Sequence, residues 1–130
     1  MATFWVAIGG AIGSVARFWL TEASLKWWGV EFPWGTAIAN ITGSFLIGLI
    51  AALPVMGARD LLGPMGRQFM MVGIMGGYTT FSSFSLQTLT MLQHGHFAKA
   101  ALNVGGSVVL CLIAVAAGYA LGAAVGVPKA

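Results

Sequence analysis

The sequence predicts an all-α integral membrane protein with four transmembrane helices, the third of which is broken near the midplane of the membrane. Three observations lead to this fold class. Charged residues make up 7% of the 130-residue chain and hydrophobic residues 58%, whereas soluble domains carry about 25% charged residues. Four apolar stretches, each long enough to cross a bilayer, which takes roughly 20 residues, occupy nearly the whole length. The third stretch contains a block of glycine and hydroxyl residues at its centre.

The four stretches form a single transmembrane domain that covers residues 1–130. The predicted helices are residues 4–21, 34–56, 65–92 and 97–127. Aromatic and charged residues between 22 and 33 mark a membrane interface after the first helix, and Gly63 and Pro64 mark the turn before the third. No stretch is left for a soluble domain, so we expect a multi-pass protein of the cell (inner) membrane that is surrounded by lipid.

Composition argues against several other classes of protein. The formal net charge of +3 comes from six scattered Lys and Arg residues without the cluster that binds nucleic acid, so no nucleic-acid partner is expected. The single cysteine, Cys111, rules out an internal disulfide and a cysteine-based metal cluster. His94 and His96 lie in a predicted loop without a matching nucleophile or acid in mid-span, so the sequence does not predict an enzyme.

The basic residues are divided equally between the two predicted membrane faces. Arg17, Lys26 and Lys99 fall toward one face, and Arg59, Arg67 and Lys129 toward the other. An excess of Lys and Arg normally lies on the cytoplasmic side, so this equality predicts that copies insert in both directions and pair as an antiparallel, dual-topology homodimer. The alternative is that one arginine is buried and the others set a single orientation. Close helix packing is expected at small residues, namely Gly9, Gly13, Gly43, Gly48, Gly118 and Gly122.

The glycine and hydroxyl block reads GGYTTFSSFS at residues 76–85. Each glycine lowers helix propensity by about 1 kcal/mol, and hydroxyl groups compete for backbone hydrogen bonds, so the helix is expected to unwind here. In lipid, irregular backbone is tolerated only where it is buried in protein or lines a wet cavity, and it often binds ions. Freed carbonyl oxygens suit a hard cation such as Na⁺, whereas N–H and O–H groups suit an anion. The alternative is that the hydroxyls bond to their own helix and only permit tight packing.

Aromatic and amide side chains accompany this block. Phe81 and Phe84 are three residues apart and therefore share a helix face, and the positive edges of their rings can face an anion. Packing in the core or against lipid is the alternative for both. Asn40 brings two N–H donors into the second helix, with Thr36 one turn earlier on the same face. These side chains form either a track of donors or interhelical hydrogen bonds.

A polar stripe runs along the fourth predicted helix. Asn103, Ser107 and Cys111 recur every four residues and therefore lie on one face. Ser107 can add a hydrogen-bond donor, whereas a thiol is a weak one.

On these residues the chain resembles the Fluc (CrcB) family of fluoride channels over nearly its whole length. The resemblance rests on GGAIGSVAR at residues 9–17, WGTAIAN at 34–40, GSF at 43–45 and GGYTTFSSFS at 76–85, the last of which is highly specific. It implies an antiparallel, dual-topology homodimer with two pores and a structural Na⁺ at the dimer centre. It also implies passive export of fluoride from cells.

The resemblance further implies roles for individual residues. The implied fluoride pore consists of Asn40, Phe81, Phe84, Ser82 and Ser83, with Thr36 and Ser107 as further members. The backbone carbonyls of Gly76 and Thr79 are implied as the Na⁺ ligands, and Arg17 as a vestibule residue. The chain departs from the family pattern with Ser83 in place of the usual threonine, Gln87 in place of a glutamate found in many members, and Cys111 in place of a hydroxyl residue in some.

Two other functions compete with the channel. A small dual-topology four-helix drug or cation exporter needs a carboxylate in mid-membrane that titrates. The three acids of this chain, Glu22, Glu31 and Asp60, lie near the ends of spans or in loops instead. A non-conducting membrane assembly protein would use the hydroxyl block for packing alone.

Overall fold

The computed structural model describes residues 1–53 and 62–126, and within these ranges it contains helices and short turns without a β-strand. The helices are α1 (Ala2–Trp28), α2 (Trp34–Ala52), α3 (Gly63–Arg67), a π-helix (Gln68–Met75), α4 (Gly76–Tyr78), α5 (Phe81–Gln93) and α6 (Phe97–Gly126). The predicted all-α class is therefore confirmed. The predicted ends at residues 56 and 127 lie outside the described residues.

Within the described part of the chain, three helices are long and apolar enough to cross a membrane by themselves: α1, α2 and α6. The remaining apolar stretch, from Gly63 to Gln93, is divided into several helical pieces and is called the third span below. With this span included, the described residues contain the four apolar helical stretches that the sequence predicts, and the chain is a multi-pass membrane protein. The third span is the irregular member of the set.

The first helix extends beyond its predicted end at residue 21 as far as Trp28. Glu22 and Lys26 do not terminate it because both side chains are exposed on its surface, where they are compatible with a helix. The helix ends at Gly29, which has φ 76° and donates its N–H to the Leu25 carbonyl at 3.0 Å. A positive φ is readily adopted by glycine, which has no Cβ.

The π-helix at Gln68–Met75 is a feature that the hydropathy pattern did not predict. A π-helix has an i to i+5 hydrogen-bond pattern, so its side chains follow a different angular spacing from those of an α-helix. The side chains of this segment therefore do not point where an α-helical wheel places them. Such insertions are frequent near functional sites.

The helices form two closely packed groups. In one, α2 packs against α6, and in the other, α1 packs against the π-helix and α4. Glycines lie at both contacts. A Cβ added to Gly9 would approach the Phe69 carbonyl oxygen to 2.7 Å, and one added to Gly122 would approach the Leu49 oxygen to 2.5 Å. Added Cβ atoms at the other four predicted glycines would also meet neighbouring atoms, namely at Gly13, Gly43, Gly48 and Gly118. The predicted role of these glycines in close helix approach is confirmed.

In contrast to these groups, α5 has few contacts with the rest of the chain. Its Leu86 and Leu89 side chains are exposed, and it meets α6 through a limited surface. In a membrane protein such apolar surface faces lipid or another protein chain. The two halves of the third span therefore differ. The first half, which ends with α4, packs against α1, whereas the outer face of the second half, α5, is exposed.

Candidate functional site

The third span is interrupted at Thr79 and Thr80, between α4 and α5. Thr79 has φ −85° and ψ 159°, and Thr80 has φ −154° and ψ 118°, so both residues are extended. The predicted interruption is therefore present. Thr79 still ties its backbone N–H and its hydroxyl to the Met75 carbonyl, at 3.0 and 2.9 Å.

The Asn40 side chain of α2 binds the backbone at this interruption. Its Nδ2 donates to the Thr80 carbonyl at 3.0 Å, and its Oδ1 accepts from the Thr80 N–H at 2.8 Å. The amide thus replaces the hydrogen bond that the Thr80 N–H would make in a regular helix, and it adds a bond to the Thr80 carbonyl, which as the N-cap carbonyl also accepts the first bond of α5. Because an unsatisfied backbone group in lipid costs several kcal/mol, Asn40 stabilises the extended conformation.

Two further contacts complete the polar environment of the interruption. The Arg17 Nε of α1 donates to the Gly77 carbonyl at 3.1 Å. The Thr80 hydroxyl accepts from the Ser83 N–H at 3.1 Å and so caps the start of α5. Arg17 therefore contacts the backbone of the third span, and its predicted vestibule role remains a prediction.

The contact of Arg17 also changes the number of basic residues that lie at one of the two membrane faces. Because its guanidinium reaches the backbone of α4, Arg17 lies within the bundle. Among the described residues, Lys26 and Lys99 then remain at one end, where Lys99 Nζ lies 3.8 Å from Glu31 Oε2. Arg67 lies at the other end and donates to the Ile50 carbonyl at 3.4 Å. Arg59 and Lys129 lie outside the described residues.

The interruption removes the regular helical partners of two carbonyl oxygens. In an α-helix the carbonyls of Gly76 and Thr79 accept from the N–H groups four residues later, which belong to Thr80 and Ser83. The Thr80 N–H instead donates to Asn40, and the Ser83 N–H donates to the Thr80 hydroxyl. These are the two carbonyls that the resemblance assigns to Na⁺, and oxygen atoms released in this way are suitable ligands for a hard cation.

A cavity of about 340 Å³ lies beside the interruption, between α2, the third span and α6. Its lining residues are Asn40, Gly43, Ser44, Ile47, Met71, Met75, Gly76, Thr79, Thr80, Phe81, Phe84, Ser107, Val108 and Cys111. The wall combines amide, hydroxyl and backbone groups with apolar and aromatic surface. A cavity of this composition can hold a small polar solute through hydrogen bonds from a few fixed groups in its wall.

The structure brings four of the predicted pore residues to this cavity: Asn40, Phe81, Phe84 and Ser107. The two rings have centroids 5.5 Å apart and are tilted by 44°. Phe84 is buried with 8% of its surface exposed, whereas Phe81 is 78% exposed. The predicted common face of the two rings is therefore confirmed, and one of them projects out of the chain.

The other three predicted pore residues lie away from the cavity lining of the single chain. Thr36 is buried with 4% of its surface exposed and does not line the cavity. Ser82 is exposed, with its hydroxyl 3.3 Å from that of Thr80. Ser83 is half-buried and uses its backbone N–H in the cap of α5. Their proposed pore roles remain predictions.

Several lining residues were missed in the sequence. Ser44 follows Asn40 by one helical turn on the same face of α2, so the spacing that joined Thr36 to Asn40 could have identified it. Met71 could not have been found in this way because it lies in the π-helix. Ile47 and Val108 carry no polar signal and are recognised only from the geometry.

A chain of polar side chains joins α5 to α6 next to the cavity. The Thr88 hydroxyl donates to the Phe84 carbonyl at 2.8 Å, and Asn103 Nδ2 donates to the Thr88 hydroxyl oxygen at 3.0 Å. The Ser107 hydroxyl lies 3.5 Å from Asn103 Oδ1. Asn103 has 2% of its surface exposed, so these hydrogen bonds are shielded. Of the three residues in the predicted polar stripe of α6, Asn103 thus belongs to the shielded network, Cys111 lines the cavity, and Ser107 does both.

Acidic and amide groups elsewhere are placed as follows. Glu22 and Glu31 are exposed at the end of α1 and in the turn after it, and Asp60 lies outside the described residues. The cavity lining contains no carboxylate among the described residues, which argues against the exporter alternative. The Oε1 atom of Gln87 is buried without a hydrogen-bond partner among the described residues, at the position noted above as a departure from the glutamate of many family members.

Comparison with known proteins identifies similar chains. A sequence profile described as "CrcB-like protein, Camphor Resistance (CrcB)" matches residues 4–119. The chain is 51% identical over 115 residues to the fluoride-specific ion channel FluC of Opitutus terrae, covering 88% of this chain and 87% of the relative. It is 45% identical over 125 residues to the FluC protein of Methylocella silvestris, covering 96% and 95%. It is 51% identical over 119 residues to that of Rhodospirillum rubrum, covering 92% of each.

Proposed function

The chain belongs to the CrcB-like protein family, and from this premise we propose that it is a passive, fluoride-selective ion channel of the cell inner membrane. The curated names of its relatives support the choice of ion. The main evidence for the position of the ion path is the cavity beside Thr79 and Thr80. There the interrupted span borders amide, hydroxyl and aromatic groups. Family membership places the protein among channels, so no chemical reaction is assigned to the cavity.

Recognition of fluoride follows from the groups that face the cavity. Fluoride is small and strongly hydrated, so a path must replace its water with closely spaced donors. Asn40 uses one N–H on the Thr80 carbonyl and retains a second one, since an amide nitrogen has two. The Ser44 hydroxyl lines the cavity without a hydrogen bond to another described residue. The ring edges of Phe81 and Phe84 add positive electrostatic potential. Several weak sites of this kind permit both entry and exit.

We assign the working unit as an antiparallel, dual-topology homodimer with two pores. The cavity borders the chain surface, where Phe81 and Gly76 are exposed. The adjoining outer face of α5 is apolar, with Leu86 and Leu89 exposed. A two-fold axis in the membrane plane would bring two such faces together, and each copy would contribute the same residues to a pore on its side. Four helices alone leave little room for an aqueous path, which supports assembly from two copies.

A structural Na⁺ at the centre of this dimer is part of the proposal. The carbonyl oxygens of Gly76 and Thr79 fit this role because their regular helical donors are used elsewhere. When bound, the ion would supply a fixed positive charge that draws the two interrupted spans together. Replacing Na⁺ by N-methyl-D-glucamine in purified protein is expected to lower the thermal unfolding temperature by several degrees. An unchanged temperature in Na⁺-free buffer would contradict the assignment.

Liposome efflux tests the function. Purified protein is reconstituted in vesicles loaded with fluoride or chloride, and release is followed with ion-selective electrodes after a potassium ionophore sets the membrane potential. Rapid fluoride release with negligible chloride release is expected. Equal release of both ions, or release of neither, would reject a selective channel.

The same assay tests the aromatic residues. Phe81→Ile and Phe84→Ile each remove a ring edge and keep an apolar side chain of substantial volume. We expect each to reduce the fluoride efflux rate by about tenfold or more, which corresponds to roughly 1.4 kcal/mol in a barrier. Size-exclusion chromatography in detergent checks that assembly is retained. Native rates in both variants would show that the rings serve only packing.

A further inference from the structure

The hydrogen bonds from Phe84 to Ser107 have a defined direction. A backbone carbonyl can only accept, so the Thr88 hydroxyl gives its single hydrogen to the Phe84 oxygen at 2.8 Å. The Thr88 oxygen must then accept, and it does so from Asn103 Nδ2 at 3.0 Å. The Asn103 oxygen is consequently turned toward α6, where it faces the Ser107 hydroxyl at 3.5 Å. In this arrangement the hydrogen of Ser107 points to Asn103.

With this direction of hydrogen bonding, Ser107 turns its oxygen lone pairs, and not its hydrogen, toward an anion in the cavity. Ser107 lines the cavity and Asn103 does not, so a hydrogen directed at Asn103 leaves oxygen lone pairs toward the cavity. Lone pairs repel an anion, whereas a hydroxyl hydrogen binds one. The Ser107 to Asn103 contact is long at 3.5 Å, near the limit at which a hydrogen bond retains any strength. The Ser107 hydrogen is therefore held weakly.

Rotation of the Asn103 amide by 180° reverses the whole chain. The Thr88 hydroxyl would then donate to Asn103 Oδ1, and Asn103 Nδ2 would donate to the Ser107 oxygen. Ser107 would be left with its hydrogen free to point into the cavity. The bond that is given up, from Thr88 to the Phe84 carbonyl, is a second bond to an oxygen that also accepts within α5. An amide is suited to this exchange because it carries a donor and an acceptor on one terminal group.

We propose that Asn103 is a positioning residue that reverses this hydrogen-bond chain and converts Ser107 from an acceptor to a donor when a small anion occupies the cavity. The proposal rests on the fluoride conduction proposed above and extends it to a residue behind the cavity wall. In the reversed chain, Ser107 accepts from Asn103 while it donates to the ion. Each hydrogen bond in such a series strengthens the next. Asn103 returns to its resting orientation when the ion leaves.

Fluoride efflux from liposomes provides the first test. Ser107→Ala removes the donor, and Asn103→Leu keeps a similar volume but removes both polar atoms. We expect Ser107→Ala to lower the efflux rate on the order of tenfold, as for the loss of one hydrogen bond near 1.4 kcal/mol. Asn103→Leu should lower the rate by a smaller factor, because Ser107 then keeps its hydrogen but loses the Asn103 N–H that orients its oxygen away from the ion. Because Asn103 acts through Ser107, the double variant should conduct like Ser107→Ala alone, within about twofold. A native rate in Asn103→Leu, or a double variant whose loss is the product of the two single losses, would overturn the proposal.

Thr88→Val separates positioning from a purely structural role. It deletes the same 3.0 Å hydrogen bond as Asn103→Leu does. Without Thr88, the amide N–H groups find their remaining partner in Ser107, so the donor-presenting direction is favoured. We expect Thr88→Val to release fluoride at or above the native rate. A loss equal to that of Asn103→Leu would show that the network only holds α5 against α6, and the proposal would fail.

Nuclear magnetic resonance gives a readout that does not depend on conduction. The chain has two asparagines, Asn40 and Asn103, so protein labelled with ¹⁵N-asparagine shows two side-chain amide signals, and Asn103→Leu assigns them. Fluoride titration should shift the Asn103 signal in the native protein but not in Ser107→Ala, and chloride should shift it in neither. An Asn103 signal that stays fixed at saturating fluoride, while Asn40 moves, would refute the reversal. Absence of fluoride release from native liposomes would instead reject the proposed function, so the two failures are distinguishable.

Discussion

At the scale of single residues, the Asn40 amide has two tasks that use different atoms. One N–H and the carbonyl oxygen bind both backbone groups of Thr80, while the second N–H is available to the cavity. A side chain that looked in the sequence like either a pore donor or an interhelical bond is therefore able to serve as both. The bond to Thr80 fixes the direction of the remaining N–H, because the amide is planar.

Asn40→Ala is expected to destabilise the protein and to reduce conduction. It leaves the N–H of Thr80 without a partner and removes the second bond to the Thr80 carbonyl, and the loss of these two bonds at a partly buried site amounts to roughly 2–3 kcal/mol in the free energy of unfolding. Denaturant unfolding in detergent, followed by tryptophan fluorescence, measures this change. The fluoride efflux rate of the same sample should fall at least tenfold, since one donor is lost and the interruption is no longer held.

Thr90→Ala is the matched control for this prediction. It also deletes a polar side chain, but the Thr90 hydroxyl is exposed and bonds only to the Leu86 carbonyl of its own helix. The Leu86 carbonyl keeps its helical hydrogen-bond donor, so we expect the free energy of unfolding to change by less than about 0.5 kcal/mol. Equal destabilisation by both variants would indicate that the Asn40 contacts to Thr80 are not formed in the membrane protein.

At the scale of helices, the contact between α2 and α6 depends on glycine. Gly118→Ala would place a methyl group against the Phe45 carbonyl, and backbone cannot move away as a flexible side chain can. We expect this variant to separate the two helices and to lower the free energy of unfolding by about 1–3 kcal/mol. Gly105→Ala on the same helix has no atom within 4 Å of its added Cβ. It should be neutral or stabilising by up to about 1 kcal/mol through helix propensity.

Thermal unfolding of the two alanine variants side by side checks this expectation. The informative quantity is the difference in unfolding temperature between the two variants. Both add the same methyl group to α6, and they differ only in the atoms that face this methyl group. If Gly105→Ala destabilised as much as Gly118→Ala, the contact surface of α6 would have to extend to the Gly105 side.

Helix-level features differed in how well the sequence predicted them. The interruption at Thr79 and Thr80 was predictable because adjacent glycines and hydroxyl groups disfavour a helix through local chemistry alone. The π-helix before it was not, since its hydropathy equals that of an apolar α-helix. The pairing of α2 with α6 was also not predictable, because lipid-facing and helix-facing apolar residues have the same composition in a membrane.

The same distinction holds for the candidate site. Asn40, Phe81, Phe84 and Ser107 could be identified because polar or paired aromatic groups in mid-membrane are conspicuous. The shielded position of Asn103 could not be foreseen, since it depends on where Thr88 of another helix lies.

At the scale of the whole molecule, the proposed dual topology makes a prediction about orientation. A reporter fused to the C-terminus should be labelled by an impermeant reagent from both sides of sealed membranes in comparable amounts. Because basic residues set orientation, Glu22→Lys, which adds positive charge at the end of α1 that carries Lys26, should shift the labelling toward one side. It should also lower fluoride efflux because fewer opposed pairs can form. One-sided labelling of the native protein would contradict dual insertion.

The chemical composition of the cavity wall has a consequence for cells in acid. Hydrogen fluoride, the protonated and uncharged form, permeates lipid directly and dissociates at the higher cytoplasmic pH, so anion accumulates inside when the surroundings turn acidic. The described wall residues offer amide, hydroxyl, thioether and ring groups but no carboxylate, ammonium, guanidinium or imidazole that would bind a proton as pH falls. In the proposed channel, the path thus keeps one electrostatic state across the acidic conditions that load the cell, and the electrochemical gradient of fluoride drives the anion out.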